Sequence, residues 1–227
     1  MNTPHTNPQG TRLADALAVR SSSTRLKAAL AAGTHPDPDA ADTLVARSAI
    51  EPDFYVRDML TWALTRLPPE LTVPRLLAQL RSEHPQARAQ ALHTLSKIGD
   101  ASAWPQITPS LLRDRDDETA RSAWRAAVVL VPDGQEKELA AELASQLGRG
   151  DREMQRSLSR ALVALGEAAE AVLATAADSE DPTVAAHARA TERLLNDPDA
   201  AFELDVEAAK RIVALGGEER TGSDADR

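Results

Sequence analysis

The sequence contains no cysteine and few aromatic residues, and both shortages exclude or disfavour particular kinds of site and fold. Without cysteine, disulfides, thiolate zinc sites, iron–sulfur clusters and thiol nucleophiles are all excluded. Aromatic residues make up 3% of the 227 residues. That share is low for an enzyme pocket or an antiparallel β-sandwich, in which aromatic rings usually supply bulk.

Long apolar runs are missing as well. No segment approaches the roughly 20 apolar residues that a membrane-spanning helix needs, and the polar opening MNTPHTNPQGTR lacks the apolar stretch of a signal peptide. We therefore predict a cytoplasmic protein that does not contact membranes. The chain carries 26 basic and 35 acidic residues, a net charge of −9. This balance argues against a general nucleic-acid coat but leaves room for a local basic patch.

Motifs for catalysis and for metal binding are absent too. The sequence has no G-x-S-x-G, G-x-G-x-x-G or Walker motif, so it supports neither a nucleophile elbow nor a nucleotide cradle. The histidines form no i,i+4 pair and no H-E-x-x-H motif; they are His5, His35, His84, His93 and His187. We predict a non-catalytic protein with no cofactor and no metal.

The main positive signal is an internal repeat. Six segments align at equivalent positions that are 30 to 34 residues apart: Arg25, Arg57, Arg88, Arg121, Gln155 and Ala185. Counted from that position, apolar residues recur at −1, +3, +6 or +7, and +10, which is one buried stripe of an α-helix. Shorter apolar-periodic stretches lie between these segments and are bounded by Pro, Gly or Asp. The pattern predicts two helices per repeat and no strand.

Helix pairs of this length resemble HEAT repeats over roughly residues 12–195. The first helix of a pair contains a proline in two repeats (Pro74, Pro109), and the second carries a V/A-R-x-x-A/L-x-x-A-L core. The resemblance implies an all-α fold, a right-handed α-solenoid of about six helical hairpins. Two departures stand out. The sequence leaves open whether the first repeat has a full outer helix, and the sixth places Thr191 and Glu192 where apolar residues are expected, so we predict that it frays or acts as a cap.

The ends of the chain are predicted to differ from the repeats. Residues 1–11 are polar and are expected to form a disordered tail. Residues 196–215 contain an amphipathic pattern that suits a capping helix, which a solenoid needs because its last repeat would otherwise expose a core face. Residues 216–227 have no apolar residue larger than alanine, and a disordered acidic tail is predicted there.

The second helices of the repeats are rich in basic residues. From position −1 to +10 they hold twelve bases and two acids, Asp58 and Glu192. In proteins with this resemblance the second helices line the concave face, which implies a positively charged inner groove. Positions +4 and +5 oppose the buried stripe. They predict a partner-binding strip across five repeats: Trp62, His93, Arg125, Arg160 and Arg189.

Other prominent residues have a structural interpretation. The aligned arginines Arg57, Arg88 and Arg121 are predicted to form the ladder of Arg–Asp contacts that such repeats commonly make. Trp104 and Trp124 are expected to pack in the core, whereas Trp62 can be either exposed or covered by the preceding hairpin.

Three function classes fit these observations. The favoured one is a protein-binding scaffold whose groove takes an acidic or amphipathic segment of a partner protein. The alternative is binding to a nucleic-acid backbone, since spaced arginines can follow phosphates and some bacterial DNA-alkylation-repair glycosylases are built from similar repeats. A lyase or helper subunit that binds a small molecule is the third.

Overall fold

The fold is built entirely from helices in the part of the chain that the computed structural model describes, residues 8–197. No strand occurs in that range. The α-helices are α1 Pro8–Ala18, α2 Ser22–Thr34, α3 Ala41–Ser48, α4 Phe54–Thr65, α5 Pro69–Gln79, α6 Pro85–Ile98, α7 Pro109–Leu112, α8 Asp117–Leu130, α9 Glu136–Ala144, α10 Arg152–Ala164, α11 Glu170–Ala177 and α12 Pro182–Asn196. The prediction of an all-α fold is confirmed.

The helices of residues 8–197 form six stacked hairpins. Each odd-numbered helix packs against the even-numbered helix that follows it, and each even-numbered helix packs against the next even-numbered one. The same two positions meet across neighbouring even-numbered helices, +4 of one helix and +6 of the next. The hydroxyl oxygens of Thr61 and Thr94 are 3.3 Å apart, and those of Ser159 and Thr191 are 2.8 Å apart. These helices therefore run parallel to one another in one layer, which we call the inner helices. The odd-numbered helices form the outer layer.

The starts of the inner helices follow from capping residues in the sequence. Asp53, Asp116, Asp151 and Asp181 each precede an inner helix and accept a hydrogen bond from a backbone N–H of its first turn. Such caps satisfy donors that otherwise have no partner at a helix start. The outer helices are shorter, and 3₁₀ turns precede three of them, at Pro38–Ala40, Ala101–Gln106 and Gly166–Ala169.

The core lies between the two layers and follows the predicted stripe. In α4 and just after it, the predicted apolar positions are all buried: Val56, Leu60, Ala63, Leu64 and Leu67. Trp124 is completely buried, and its indole N–H donates to the carbonyl of Leu112 at 2.8 Å. Trp104 is half-buried and donates to Gln135. Both rings pack as expected.

The two terminal repeats are more complete than the sequence suggests. Helix α1 begins at Pro8, inside the predicted tail of residues 1–11, and gives the first hairpin an outer helix of 11 residues. Proline is well tolerated in the first turn of a helix, and Leu17 of α1 is buried in the core. Of the two alternatives predicted for the sixth repeat, fraying is wrong, because Thr191 is fully buried and its hydroxyl donates to the carbonyl of His187. The other alternative, a capping role, stays a prediction.

The predicted capping helix, apart from its first two residues, and the predicted acidic tail lie outside the described residues. None of the helices within residues 8–197 combines the length and the apolarity that a membrane crossing requires.

Candidate functional site: a groove on the inner helices

Three of the aligned arginines tie together the two helices of their own hairpin. The Nη1 atoms of Arg25, Arg57 and Arg88 each donate to the carbonyls five and six residues earlier, at 2.7 to 3.2 Å. In every case those carbonyls belong to the loop between the outer and the inner helix. A guanidinium suits this position because it holds several donors in one rigid plane.

Two of these arginines also reach a carboxylate in the next hairpin. Arg25 donates to both oxygens of Glu51 at 2.8 and 2.7 Å, and Arg88 donates to both oxygens of Asp114 at 2.9 and 3.0 Å. Glu51 is completely buried and also accepts from Arg47 and from the backbone N–H of Asp53. Burial alone would raise the pKa of Glu51, but the hydrogen bonds from Arg25, Asp53 and Arg47 outweigh burial and hold that pKa at about 2.

The fourth aligned arginine behaves differently. Arg121 turns along the inner layer and donates to Glu153 at 2.9 Å and to Ser157 at 3.2 Å. Arg149 of the next hairpin takes over the contact with the loop before α8, donating to the carbonyl of Asp114 and to the carboxylate of Asp117. Arg57 and Arg88 thus hold hairpin loops, whereas Arg121 stands on the inner face.

A groove of about 570 Å³ opens on the inner face across α4, α6, α8 and the start of α10. Its charged lining is mixed, with the bases Arg57, Arg121 and Arg125 and the acids Asp58, Asp116, Glu118 and Glu153. The predicted positive charge of the groove is therefore wrong for this region. The positive charge was predicted from positions −1 to +10 of each inner helix, and three of the four acids lie before position −1. They stand at helix starts, where the helix dipole favours acids.

The structure brings two residues of the predicted strip together in this groove. His93 of α6 is half-buried, and its ring has no hydrogen-bond partner among the described residues. Arg125 of α8 is exposed and donates to Glu118 at 3.2 Å and to Ser122 at 3.0 Å. Burial, the charge of Arg125 and the charge of Lys97 all lower the pKa of His93, and Asp58 opposes them.

The other three residues of the strip lie elsewhere. Trp62 is half-buried against Gly33 of α2; a Cβ atom on Gly33 would stand 2.2 Å from Cζ3 of the indole. Arg160 is exposed on α10 and does not line the groove. Arg189 donates to the carbonyl of Ala177 at 2.7 Å and so caps the end of α11.

The predicted strip does not form one continuous row, because the inner helices are covered on more than one side. Position +4 is buried in four inner helices, at Ala29, Thr61, Leu92 and Ser159. Thr61, for example, accepts from Gln90 and meets Thr94 of the neighbouring inner helix. An argument from one buried stripe treats the rest of the helix as exposed and misses these flanking contacts.

Sequence reasoning missed the most exposed aromatic residues of the described chain. Phe54 and Tyr55 begin α4, are 65% and 71% exposed, and meet edge to face with ring centroids 5.6 Å apart. Phe54 lines the groove, and the guanidinium carbon of Arg57 lies 5.9 Å from the centre of its ring. Two adjacent aromatic residues in a chain that has only six were the available signal.

A buried Ser–His contact lies outside this groove and has the geometry of a structural bond. Nδ1 of His187 accepts from the backbone N–H of Gly148 at 3.0 Å, and Nε2 lies 3.1 Å from the hydroxyl of Ser159. Both side chains are buried, so no substrate can reach them. Burial lowers the pKa of His187, although a hydrogen bond to the carbonyl of Gln155 opposes it. Within residues 11–197, no group of side chains is arranged to hold a metal ion.

Comparison with protein families supports the repeat. Residues 48–129 match the family described as HEAT repeats. The matched range runs from the end of α3 into α8 and contains most of the groove wall. No curated protein matches the sequence.

Proposed function

We propose that this chain, whose predicted HEAT repeats are confirmed by the family match over residues 48–129, is a non-catalytic scaffold. It binds a segment of a partner protein in the groove across α4, α6 and α8. HEAT repeats are generally protein-interaction scaffolds. Stacked hairpins offer a long continuous surface, which suits an extended or helical partner segment.

The observation that carries this proposal is the exposed aromatic pair at the edge of the groove. Solvent-exposed Phe54 and Tyr55 lose unfavourable contact with water when a partner covers them. Ile50, 64% exposed in the loop before α4, adds apolar surface near them in the chain. Aromatic residues beside an arginine are the side chains that most often dominate the energy of protein–protein interfaces.

The charges of the inner face suggest the chemistry of the partner. The apolar side of an amphipathic segment would cover Phe54 and Tyr55, and its acidic side chains would lie towards His93 and Arg125. Such a segment fits the mixed lining better than a uniformly charged polymer does.

A nucleic-acid backbone is the second candidate. Exposed bases beyond the first turns of the inner helices, such as Lys97, Arg125 and Arg160, favour it. The acids Asp58, Glu118 and Glu153 oppose it, because they would face phosphates in the same groove. The balance favours a protein partner.

A photo-crosslinking experiment tests the proposal. A benzophenone amino acid replaces Tyr55 at the groove edge or, as a matched control, exposed Ala78 on the outer helix α5. We expect a partner that crosslinks from position 55 and not from position 78. The crosslinked segment is then synthesised, and its affinity for the purified protein is measured by calorimetry.

In the calorimetric assay, Phe54→Ala and Tyr55→Ala should each weaken binding by about tenfold or more, as expected for exposed aromatic side chains that a partner covers. The control Val19→Ala removes an exposed apolar side chain between α1 and α2 and should change nothing. Equal affinity in all variants would contradict the proposal. Saturable binding of labelled duplex DNA that weakens steeply with salt would favour the nucleic-acid candidate instead.

A further inference from the structure

Three side chains on α6 and α8 carry hydrogen-bond donors and have few partners among the described residues. His93 and Lys97 stand on successive turns of α6, where residues four apart share one face. Arg125 lies on α8, the helix that packs most extensively against α6, and lines the same groove as His93. His93 and Arg125 therefore face the groove from two neighbouring inner helices, and Lys97 lies one turn from His93, close enough to lower its pKa.

The partners of these side chains within the protein are few and weak. Among the described residues, the His93 ring accepts or donates no hydrogen bond and Lys97 forms no ion pair. Arg125 pairs with Glu118 at 3.2 Å, but both side chains are exposed, and exposed ion pairs contribute little free energy. The ring of His93 and the ammonium of Lys97 can therefore turn towards a ligand without breaking a bond. Arg125 also donates to buried Ser122 at 3.0 Å, but both of its bonds use Nη2, so Nε and Nη1 can donate to a ligand while that contact stays.

We propose that His93, Lys97 and Arg125 form an anion site that takes a carboxylate side chain of the partner segment. This inference rests on the proposed scaffold function and names the chemistry that the groove recognises. A carboxylate can accept from the planar guanidinium and the ammonium together, and from the imidazole when that ring carries a proton on the near nitrogen.

The site makes partner binding sensitive to pH. The charged groups that act on His93 are Arg125 of α8, Lys97 of α6 and, with opposite sign, Asp58 of α4. In the free protein burial and the two cations keep the pKa of His93 below its usual 6.5. A bound carboxylate adds a negative neighbour and raises that pKa, so binding takes up a proton. Affinity therefore rises as pH falls from about 7.5 to about 5.5, a range in which glutamate side chains stay ionised.

The experiment uses the full-length protein and a capped triglutamate peptide as the probe. The peptide is titrated while the imidazole signals are followed by NMR, with the His93 signal assigned from a His93→Gln variant. We expect a saturable shift of the His93 signal, a raised His93 pKa in the presence of peptide, and tighter binding at the lower pH. Capped triglutamine serves as the neutral control and should leave the signal unchanged.

Variants and a second anion make the test specific. Arg125→Gln and Lys97→Gln should each weaken peptide binding at least about fivefold, whereas Arg160→Gln removes an exposed arginine outside the groove and should not weaken it. Inorganic phosphate is titrated in parallel. A response to phosphate as strong as that to triglutamate, an unshifted His93 signal, or an unchanged pH dependence in His93→Gln would each overturn the carboxylate site.

The crosslinking and peptide experiments test the anion site and the scaffold function separately. If the partner segment crosslinks at position 55 and triglutamate leaves His93 unaffected, the anion site is wrong and the scaffold stands. If triglutamate binds at His93 and no partner crosslinks from position 55, the anion site stands and the scaffold function is wrong.

Discussion

Nε and Nη2 of Arg25 donate to the two carboxylate oxygens of Glu51 at 2.8 and 2.7 Å, and both side chains are almost completely buried. The pair joins the start of α2 to the loop between α3 and α4, so it fastens the first hairpin to the second. Arg47 and the backbone N–H of Asp53 complete the hydrogen bonds to Glu51.

Removing the charge of Glu51 should destabilise the fold strongly. In Glu51→Gln, Arg25 and Arg47 lose their shared counter-charge in a buried position, which costs about 3–5 kcal/mol of unfolding free energy. Urea unfolding followed by circular dichroism measures the loss. The control Asp42→Asn breaks the exposed pair between Arg75 and Asp42 and should cost at most about 1 kcal/mol. Similar losses in the two variants would show that Glu51 has no special role.

The aligned arginines should differ in their contributions to stability. Arg88→Leu removes two bonds to loop carbonyls and a two-point contact with largely buried Asp114, so we expect a loss of about 2–4 kcal/mol. Arg121→Leu removes contacts with exposed Glu153 and Glu118 and should cost at most about 1 kcal/mol. The same denaturation assay compares them. We assign Arg88 as an arginine that holds a hairpin loop and Arg121 as one that does not. A larger loss of stability for Arg121→Leu than for Arg88→Leu would contradict this assignment.

A single added methyl group should reveal how tightly Trp62 packs on α2. Gly33→Ala would ordinarily stabilise a helix interior by up to about 1 kcal/mol. Here the new Cβ would meet the indole ring, and we expect a net loss of about 1–3 kcal/mol. The double variant Gly33→Ala with Trp62→Leu should recover part of this loss, as shown by the coupling energy in a double-mutant cycle. Stabilisation by Gly33→Ala alone would mean that the ring does not occupy this position.

The last hairpin should lose stability in mild acid because of His187. Its Nδ1 accepts from the N–H of Gly148, so the neutral ring is the form that fits. The pKa of His187 is lowered in the folded state, and the unfolded chain therefore binds more protons below pH 6.5. Unfolding free energy then falls as pH drops below that value.

Urea titrations at about pH 7.5 and about pH 5.5 measure this dependence. His187→Gln should make it less steep, leaving the contribution of His93, whose pKa is also lowered. Ser159→Ala removes a hydrogen-bond partner of the ring but no titratable group, and it should keep the pH dependence. An equally steep dependence in His187→Gln would exclude this role for the ring.

The repeat and its core were predictable because their signals are local. Spacing of apolar residues along one helix decides which stripe it buries, and Val56, Leu60 and Leu64 follow that stripe without exception. Capping residues such as Asp53 and Asp181 likewise mark helix starts through contacts within a few residues.

The candidate site was only partly predictable. Of the predicted strip, His93 and Arg125 share the groove, whereas Trp62 packs on Gly33 and Arg189 caps an outer helix. These outcomes depend on residues in neighbouring hairpins, often about thirty positions away, and no pattern within one helix contains them. Phe54 was not predicted because it lies in the first turn of its helix, outside positions +4 and +5.

The sequence alone determined that this protein consists of stacked helical hairpins, because helix periodicity, caps and breaks act over a few residues and repeat along the chain. Only the tertiary structure decided which arginines hold loops, which line the groove and which acids stand beside them. Those roles depend on how neighbouring hairpins pack, since burial and pairing of a charge are set by side chains that come together only when the layers stack.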